Sequence, residues 1–316
     1  MPLHPMIQTN LAAAQGMLPY HRLPIAQARA QAKLAYPPRA QPVAVGVVQD
    51  LLIPGPAGAL PLRVYAPNGA GPHPLMVYFH GSGFVLHDLD THDDLCRRLC
   101  AGAACVVVSV DYRLAPEHKF PAAPDDCLAA TRWAAAHAES LGADPARMVV
   151  GGDSAGACLA AVTALRARDE GGPALRGQLL FYPVTGYPSP APASYATYGA
   201  GYGLSSEAMH WFWQHYLADL SLALHAHASP LRMDSAHGMP PACVLVAEYD
   251  VLRDEGEAYA RRMGAAGSAT LSRCYAGMNH GFLKYAGRLA GADAALADAC
   301  AWLLEATGSA AAGHPA

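Results

Sequence analysis

Three side chains that each follow a strand-like segment could together cleave an acyl bond. Ser154 lies in the pattern G-x-S-x-G directly after an apolar run, and this pattern can place a serine hydroxyl on a sharp strand-to-helix turn. A serine hydroxyl is a weak nucleophile, so it needs a base to accept its proton and a carboxylate to orient that base. Asp250 and His280 come later in the chain, each just after a strand-like run. The three residues therefore predict nucleophilic acyl transfer.

Each of these features also has a structural interpretation. The glycines around Ser154 could form a turn without chemistry, Asp250 could cap the helix that follows it, and His280 could be a structural loop residue. Asp254, one helical turn after Asp250, is a competing acid. We favour catalysis, with Asp250 as the acid, because the three residues occur in order at the predicted C-terminal ends of strands, where sites form on parallel sheets.

A glycine-rich loop, HGSGF (80–84), follows another strand-like run, Leu75–Phe79. Acyl transfer needs hydrogen-bond donors for the negative charge that develops on the carbonyl oxygen, and the loss of one donor costs about 10²–10³ in rate. Glycines let backbone amides approach the reacting atoms, and the amide just after the nucleophile can join them. The expected donors are the amides of Gly81, Ser82, Gly83 and Ala155.

Strand-like and helical patterns alternate along most of the chain. The predicted strands are residues 43–48, 60–65, 75–79, 104–110, 147–151, 178–184, 242–248 and 270–275. The predicted helices are residues 93–102, 125–141, 155–168, 255–266 and 285–306. The first two strands flank the turn PGPAG and predict a hairpin, whereas the later alternation predicts a mostly parallel sheet covered by helices on both faces. Residues 185–229 break this rhythm with an aromatic helix, HWFWQHY (210–216), and predict an insertion over one edge of the sheet.

The composition argues against nucleic-acid and membrane functions. The chain has 316 residues, a net charge of −4 and 53% hydrophobic residues, with no basic stripe of the kind that binds nucleic acid. It has no apolar run near the roughly 20 residues that span a bilayer, and its N-terminus lacks the pattern of a secretory leader. The 8 cysteines include no CxxC pair and predict buried reduced thiols. We therefore expect a cytoplasmic globular protein without stable membrane insertion.

Five motifs resemble those of the hormone-sensitive-lipase-type α/β-hydrolases, the bacterial family IV esterases. They are HGSGF (80–84), DYRLAPEHKFPAAPDD (111–126), GDSAG (152–156), DVLRDE (250–255) and HGF (280–282). The resemblance runs in register from about residue 43 to the C-terminus. It implies an α/β-hydrolase fold, with a mostly parallel central sheet of about eight strands, flanking helices and a helical cap. It also implies Ser154 as nucleophile, Asp250 as the orienting acid and His280 as the base.

The resemblance also divides the chain into core and cap. Residues 43–184 and 230–316 would form the catalytic core, and residues 1–42 and 185–229 would form a cap that shapes the acyl and alcohol pockets. Aromatic stripes at helical spacing are more often packing than pocket lining, so the aromatic side chains could equally form the interior of the cap. The candidate substrate-binding residues are Phe84, Tyr182, Tyr202, Leu204, Trp211 and Phe282.

Ser82 departs from the family, whose loop has the sequence HGGG. Its backbone amide is retained, so the oxyanion hole can still form, but a side chain restricts the backbone and would narrow the pocket. We therefore expect an altered acyl or alcohol preference without loss of activity.

The most specific function predicted is a serine carboxylesterase that hydrolyses small esters, and the resemblance and the cap it implies point to short acyl chains. No cofactor is expected, and HDLDTHDD (87–94) is interpreted as a loop that enters a helix, not as a metal site. An amidase, a carbamate hydrolase or a deacetylase with the same triad is the first alternative. A non-catalytic small-molecule binding protein on a hydrolase scaffold is a more remote one. The resemblance also suggests a homodimer.

Overall fold

A single eight-stranded sheet organises the chain in the computed structural model, which describes residues 1–309. The strands are β1 (Val47–Gly55), β2 (Gly58–Ala66), β3 (His73–Phe79), β4 (Val106–Val110), β5 (Ala143–Asp153), β6 (Gly177–Phe181), β7 (Ala242–Tyr249) and β8 (Thr270–Asn279). Their order is β1-β2-β4-β3-β5-β6-β7-β8. The first hairpin joins the sheet antiparallel, and the other six strands are parallel to one another. The predicted mostly parallel α/β-hydrolase sheet is confirmed.

Helices cover both faces of this sheet. The helices of the described chain are α1 (Pro5–Ala13), α2 (Ile25–Leu34), α3 (Asp93–Ala103), α4 (Ala122–Ala136), α5 (Ala155–Asp169), α6 (Ala193–Tyr198), α7 (Ser206–Tyr216), α8 (Arg253–Ala265) and α9 (Ala290–Ala306). Alternate residues of β3 belong to different apolar clusters: Val77 and Phe79 pack with α4, α5 and α8, whereas Met76 and Tyr78 pack with α3 and α9. Because both faces are covered, the central strands have no polar side and are continuous apolar runs.

Several predicted boundaries are wrong, for local reasons. The first strand lies at Val47–Gly55, not at residues 43–48, because an edge strand with one exposed face lacks a continuous apolar run. The strand predicted at 178–184 ends at Phe181, where Tyr182 turns the chain with φ +36°. The last helix begins at Ala290, after a short 3₁₀ turn that the sequence pattern did not separate from it.

The two segments that we predicted as a cap contact each other and the core. The 3₁₀ turn Tyr20–Arg22 packs against α7, and His21 Nε2 lies 3.1 Å from Glu207 Oε2 in the first turn of that helix. Arg29, on α2, donates hydrogen bonds to the carbonyl oxygens of Val85 and Ala115 in the core. The N-terminal segment is therefore tied to both the core and the insertion.

Among residues 1–309, none of the helices combines the length and the apolar composition needed to cross a membrane. The eight cysteines are free thiols, and six of them are buried.

Candidate active site

Ser154 occupies a sharp turn between β5 and α5. Its backbone has φ 55° and ψ −120°, a conformation that is costly for a residue with a side chain and is typical of functional sites. Gly152 and Gly156 allow this turn to form, because a Cβ atom at either position would overlap the carbonyl oxygen of Phe79 on β3. The two glycines of the motif therefore provide close packing of the turn against the neighbouring strand.

Ser154, His280 and Asp250 form a continuous chain of hydrogen bonds. His280 Nε2 lies 2.9 Å from Ser154 Oγ, and His280 Nδ1 lies 2.7 Å from Asp250 Oδ2. A carboxylate only accepts hydrogen bonds, so Nδ1 carries the proton and Nε2 is free to accept the proton of the serine. Asp250 is 2% exposed. The geometry is that of a nucleophile, a base and an orienting acid.

Asp254, the competing acid, points elsewhere. Its Oδ2 accepts a hydrogen bond of 2.8 Å from the amide of Ser194 at the start of α6, and its Oδ1 pairs with Arg253. Asp250 comes directly after β7, whereas Asp254 lies in the first turn of α8. The helix carries Asp254 away from His280, so the structure favours Asp250 as the partner of the histidine.

The loop after β3 offers fewer free amides than we predicted. The Gly81 amide donates a hydrogen bond of 2.8 Å to Asp153 Oδ1, so it is not available to a substrate and drops out of the candidate set. Within residues 1–309, the structure gives the amides of Ser82 and Gly83 no acceptor. Ala155 is the first residue of α5, and the first amides of a helix have no acceptor within it. Three of the four predicted donors therefore remain.

Asp153 has a larger role than the motif suggested. Its buried carboxylate accepts hydrogen bonds from Tyr78 Oη at 2.6 Å and from the Gly81 amide, and it lies 3.2 Å from His92 Nε2. Burial by itself raises the pKa of Asp153, but His92 and these hydrogen bonds outweigh burial and hold the pKa well below its usual value. Asp153 therefore links the nucleophile turn to the glycine-rich loop. Sequence reasoning missed this link because it depends on β3 and β5 being neighbours.

The Ser82 side chain does not lie where we expected it. It is 4% exposed, and its Oγ lies 2.6 Å from Tyr112 Oη and accepts a hydrogen bond from the Phe84 amide. The hydroxyl is therefore directed into the polar interior behind the loop. The expected narrowing of the pocket has no support from this geometry.

Three of the six candidate substrate-binding side chains are buried. The Tyr182 ring packs edge-on against the His280 ring, with centroids 4.9 Å apart, and the Phe282 ring lies 5.7 Å from the Tyr182 ring. Tyr182 and Phe282 therefore support the position of the His280 ring. Phe84 is 2% exposed and stacks on Tyr216 of α7 at 3.8 Å, so it belongs to the packing between the loop and the insertion.

The other three candidates are half-buried residues of the insertion. Tyr202 stacks on Tyr249 at 5.1 Å, and its carbonyl oxygen accepts a hydrogen bond from Asn279, the neighbour of His280 in the chain. Leu204 packs against the apolar cluster that contains Val77 and Phe79 of β3. Trp211 contacts the Phe212 ring edge-on at 5.1 Å. Of these three, Tyr202 has the most direct link to His280.

Phe212, which we did not single out, covers the glycine-rich loop. A Cβ atom at Gly83 would overlap the Phe212 ring, so the insertion and the loop are in direct contact. The motif at 111–126 holds α7 in this place: Lys119 Nζ donates to the carbonyl oxygens of Gln214 and Leu217 at its C-terminal end. The helical spacing of the aromatic residues could not show which of them faces the loop.

The acidic segment 87–94 is occupied by ion pairs. Asp88 pairs with Lys33, and Asp94 pairs with Arg98 one helical turn away. The start of the helix is Asp93, after a 3₁₀ turn at Asp90–His92. Asp88 therefore holds α2 to this segment, and Asp94 forms an ion pair within α3.

Comparison with known proteins gives the class and the family. The sequence profile of the alpha/beta hydrolase fold family matches residues 76–284, so the chain belongs to that family. The matched part contains Ser154, Asp250, His280 and the glycine-rich loop. Together with the five motifs, it places the chain in the hormone-sensitive-lipase-type branch.

Two curated relatives are ester hydrolases. The carboxylic ester hydrolase LipN of Mycobacterium tuberculosis is 47% identical over 243 residues, which are 75% of this chain and 64% of that protein, just under two thirds of its length. The ethyl acetate hydrolase of Pseudomonas putida is 40% identical over 242 residues, 75% of this chain and 76% of that protein.

A solved structure supports the same class. The ester-hydrolase EH1AB1 from the metagenome of Lake Arreo, complexed with a derivative of bipyridine phosphonate, has a TM-score of 0.92 and 41% identity. The match covers 97% of this chain and 100% of the solved chain. Fold, site and relatives agree, and the chain is a carboxylic ester hydrolase of the serine type.

Proposed function

We propose that the protein hydrolyses small esters with short acyl chains, with Ser154 as nucleophile, His280 as base and Asp250 as orienting acid. The observation that carries this proposal is the unbroken hydrogen-bond chain from Asp250 through His280 to Ser154. It is supported by the strained backbone of Ser154, which holds the hydroxyl at the C-terminal edge of the sheet.

In the first half of the reaction the ester becomes an acyl-enzyme. His280 Nε2 takes the proton of Ser154 as its Oγ attacks the carbonyl carbon, and Asp250 stabilises the imidazolium that forms. The amides of Ser82, Gly83 and Ala155 bind the carbonyl oxygen as it becomes negatively charged. The C–O bond to the alcohol then breaks, and the imidazolium gives its proton to the departing alcohol.

The second half repeats these steps with water. His280 takes a proton from a water molecule, which attacks the acyl carbon, and the same amides hold the second oxyanion. The acid leaves when the imidazolium returns the proton to Ser154 Oγ. The cycle uses three side chains, three backbone amides and one water molecule.

The preference for small substrates rests on the insertion and on one relative. Phe212 lies directly over Gly83, which limits the room beside the oxyanion amides, and the ethyl acetate hydrolase of Pseudomonas putida is named for a two-carbon acyl ester. We propose that residues 1–42 and 185–229 form the cap that sets this limit, over a core of residues 43–184 and 230–316. A homodimer and a cytoplasmic location are also proposals, suggested by the family resemblance and by the composition.

The experiment is hydrolysis of p-nitrophenyl esters from acetate to dodecanoate, by the wild type and by Ser154→Ala. We expect activity that is highest on the shortest chains and is lost in Ser154→Ala, since removal of the nucleophile leaves only the weak catalysis of the remaining site. Equal activity of the two proteins would show that Ser154 is not the nucleophile. A maximum at long chains would contradict the proposed small acyl pocket.

A wild type that cleaves no ester would direct attention to the alternatives. Amide, carbamate and N-acetyl substrates would then test the other hydrolases that the same triad can support. Binding of a small ester without turnover would indicate the non-catalytic scaffold.

A further inference from the structure

The Ser82 side chain completes a ring of hydrogen bonds around the glycine-rich loop. The Phe84 amide donates to Ser82 Oγ at 2.9 Å, and Ser82 Oγ lies 2.6 Å from Tyr112 Oη. Tyr112 Oη in turn donates to the carbonyl oxygen of His80 at 2.7 Å. The ring begins at residue 84 and ends at residue 80, so it encloses the two amides proposed to bind the oxyanion.

The direction of each hydrogen bond in the ring is fixed. A carbonyl oxygen can only accept, so the single hydroxyl proton of Tyr112 points to His80. Burial raises the pKa of Tyr112 well above its usual value, so this proton is retained. Ser82 is then the donor to Tyr112, and its Oγ has a lone pair for the Phe84 amide. Every donor in the ring has an acceptor, and such chains strengthen each of their members.

The loop needs this support because its backbone is strained. Gly83 has φ +57° and Phe84 has φ +65°, and for Phe84 the left-handed region is unfavourable because of its Cβ atom. The Ser82 carbonyl oxygen accepts two further hydrogen bonds, from the amides of Val85 and Leu86. The Ser82 amide has no acceptor among residues 1–309 and is left for the substrate.

Tyr112 is itself held rigidly. It is 1% exposed, and its ring stacks on the His80 ring with centroids 4.5 Å apart and planes at 17°. It follows β4, the neighbour of β3 in the sheet, so its hydroxyl is fixed relative to the strand that ends at the loop. A side chain on a rigid support can position a flexible loop.

We propose that Ser82 and Tyr112 are positioning residues that hold the Ser82 and Gly83 amides in the geometry that binds the oxyanion. The proposal rests on the proposed esterase function and adds to it a role for a side chain that replaces a glycine of the family motif. A glycine at position 82 would leave the Phe84 amide without its acceptor in the protein. The serine therefore makes the loop of this protein more rigid than a loop of glycines.

The first test is a double-mutant cycle on Ser82→Ala, Tyr112→Phe and the double variant. Each single variant breaks the ring but leaves all three oxyanion amides in place. We expect kcat on p-nitrophenyl acetate to fall about tenfold, less than the about 10²–10³ that loss of a whole donor costs, with KM changed less than about twofold. The double variant should lose no more than either single variant, because both remove the same ring.

The second readout is the rate of phosphonylation of Ser154 by a fluorophosphonate, followed by intact mass. In this step the Ser154 O–P bond forms, the P–F bond breaks, fluoride leaves, the serine proton passes to His280 and the P=O oxygen enters the oxyanion hole. We expect this rate to fall in parallel with kcat. Phosphonylation does not require an ester substrate. It therefore tests the ring even if the wild type is inactive on esters, which would contradict the proposed function but not the role of the ring.

Two matched controls remove buried hydroxyls elsewhere. Ser109→Ala changes a buried serine on β4, and Tyr259→Phe removes a hydroxyl that donates to Gln178 between α8 and β6. Both should keep wild-type kcat and phosphonylation rates. If Tyr112→Phe does not fold, Ser82→Ala alone decides. Two results would overturn the proposal. In the first, the ring variants lower the thermal midpoint but leave kcat and the phosphonylation rate unchanged. In the second, the losses of the two single variants add in the double variant.

Discussion

Two glycine-containing loops end neighbouring strands of the sheet, and they use glycine for different reasons. In the nucleophile turn, Gly152 and Gly156 stand where a Cβ atom would overlap the backbone of β3. In the loop after β3, Gly83 combines a positive φ with close approach to Phe212, but position 82 has a side chain with its own partner, Tyr112. The turn is therefore fixed by backbone packing, whereas the loop is fixed by side chains.

The anchors of the two loops follow the same division. The Ser154 amide donates to the carbonyl oxygen of Phe181 on β6, so the turn is part of the sheet. The Gly81 amide instead donates to the Asp153 side chain, and Phe84 stacks on Tyr216. Changes in the turn should therefore act on folding and catalysis together, and changes in the loop should have graded effects on catalysis.

The largest expected effect distinguishes Asp250 from Asp254. Asp250→Asn should lower kcat by about 10³–10⁴, because an amide no longer holds His280 in the tautomer that accepts the serine proton. Asp254→Asn should keep kcat within about threefold, since Asp254 bonds to Ser194 and Arg253. Steady-state kinetics on p-nitrophenyl acetate measure both. The reverse ranking would make Asp254 the acid.

Gly156→Ala tests the packing of the nucleophile turn. We expect the free energy of unfolding to fall by about 1–3 kcal/mol, the usual result of overpacking, because the new Cβ atom meets the Phe79 carbonyl group. Gly264→Ala in α8 is the matched control: a Cβ atom there would point into open space, so a gain of up to about 1 kcal/mol in helix propensity should result. Urea unfolding measures both. Equal stability changes would refute the packing argument.

Gly83→Ala tests the loop against the insertion. The substitution adds a Cβ atom at φ +57° that overlaps Phe212, so we expect kcat to fall about tenfold, in line with backbone strain of about 1–3 kcal/mol. Phe212→Ala in the same chain should restore part of the loss by removing the overlap. A double variant no better than Gly83→Ala would show that strain at position 83 acts alone.

A pH-dependent effect is expected from Glu255, which joins α8 to the start of the insertion. Its buried carboxyl accepts hydrogen bonds from the Thr185 amide and from Tyr195 Oη, and burial raises its pKa from 4.5 to about 8. The folded state therefore favours the neutral form. This contribution to stability is complete below pH 4.5 and is lost as the pH rises through about 8.

Glu255→Gln should flatten that dependence. We expect the unfolding free energy of the wild type to fall between pH 5 and 8 more steeply than that of the variant, by up to about 1.4 kcal/mol per pH unit. Guanidinium unfolding at several pH values measures the two slopes. Identical slopes would mean that Glu255 ionises alike in the folded and unfolded chains.

The sequence predicted most of the core because its signals are local. Continuous apolar runs indicated the central strands, and the order of Ser154, Asp250 and His280 indicated which strand ends must meet. The first strand was misplaced because an edge strand with an exposed face has a weak pattern. The position of Asp254 could not be excluded from the sequence, because two carboxylates four residues apart differ only in where the helix begins.

The sequence by itself determined the fold class, the serine and the histidine that meet at the sheet edge and the glycines of the nucleophile turn, since each depends on periodicity or on motif spacing. Only the tertiary structure decided which amides are free, because Asp153 engages Gly81 across two strands. It also decided that Ser82 faces Tyr112 and that Phe212 covers Gly83. These contacts join residues from about 30 to 130 positions apart in the chain, and such distant contacts leave no local pattern to recognise.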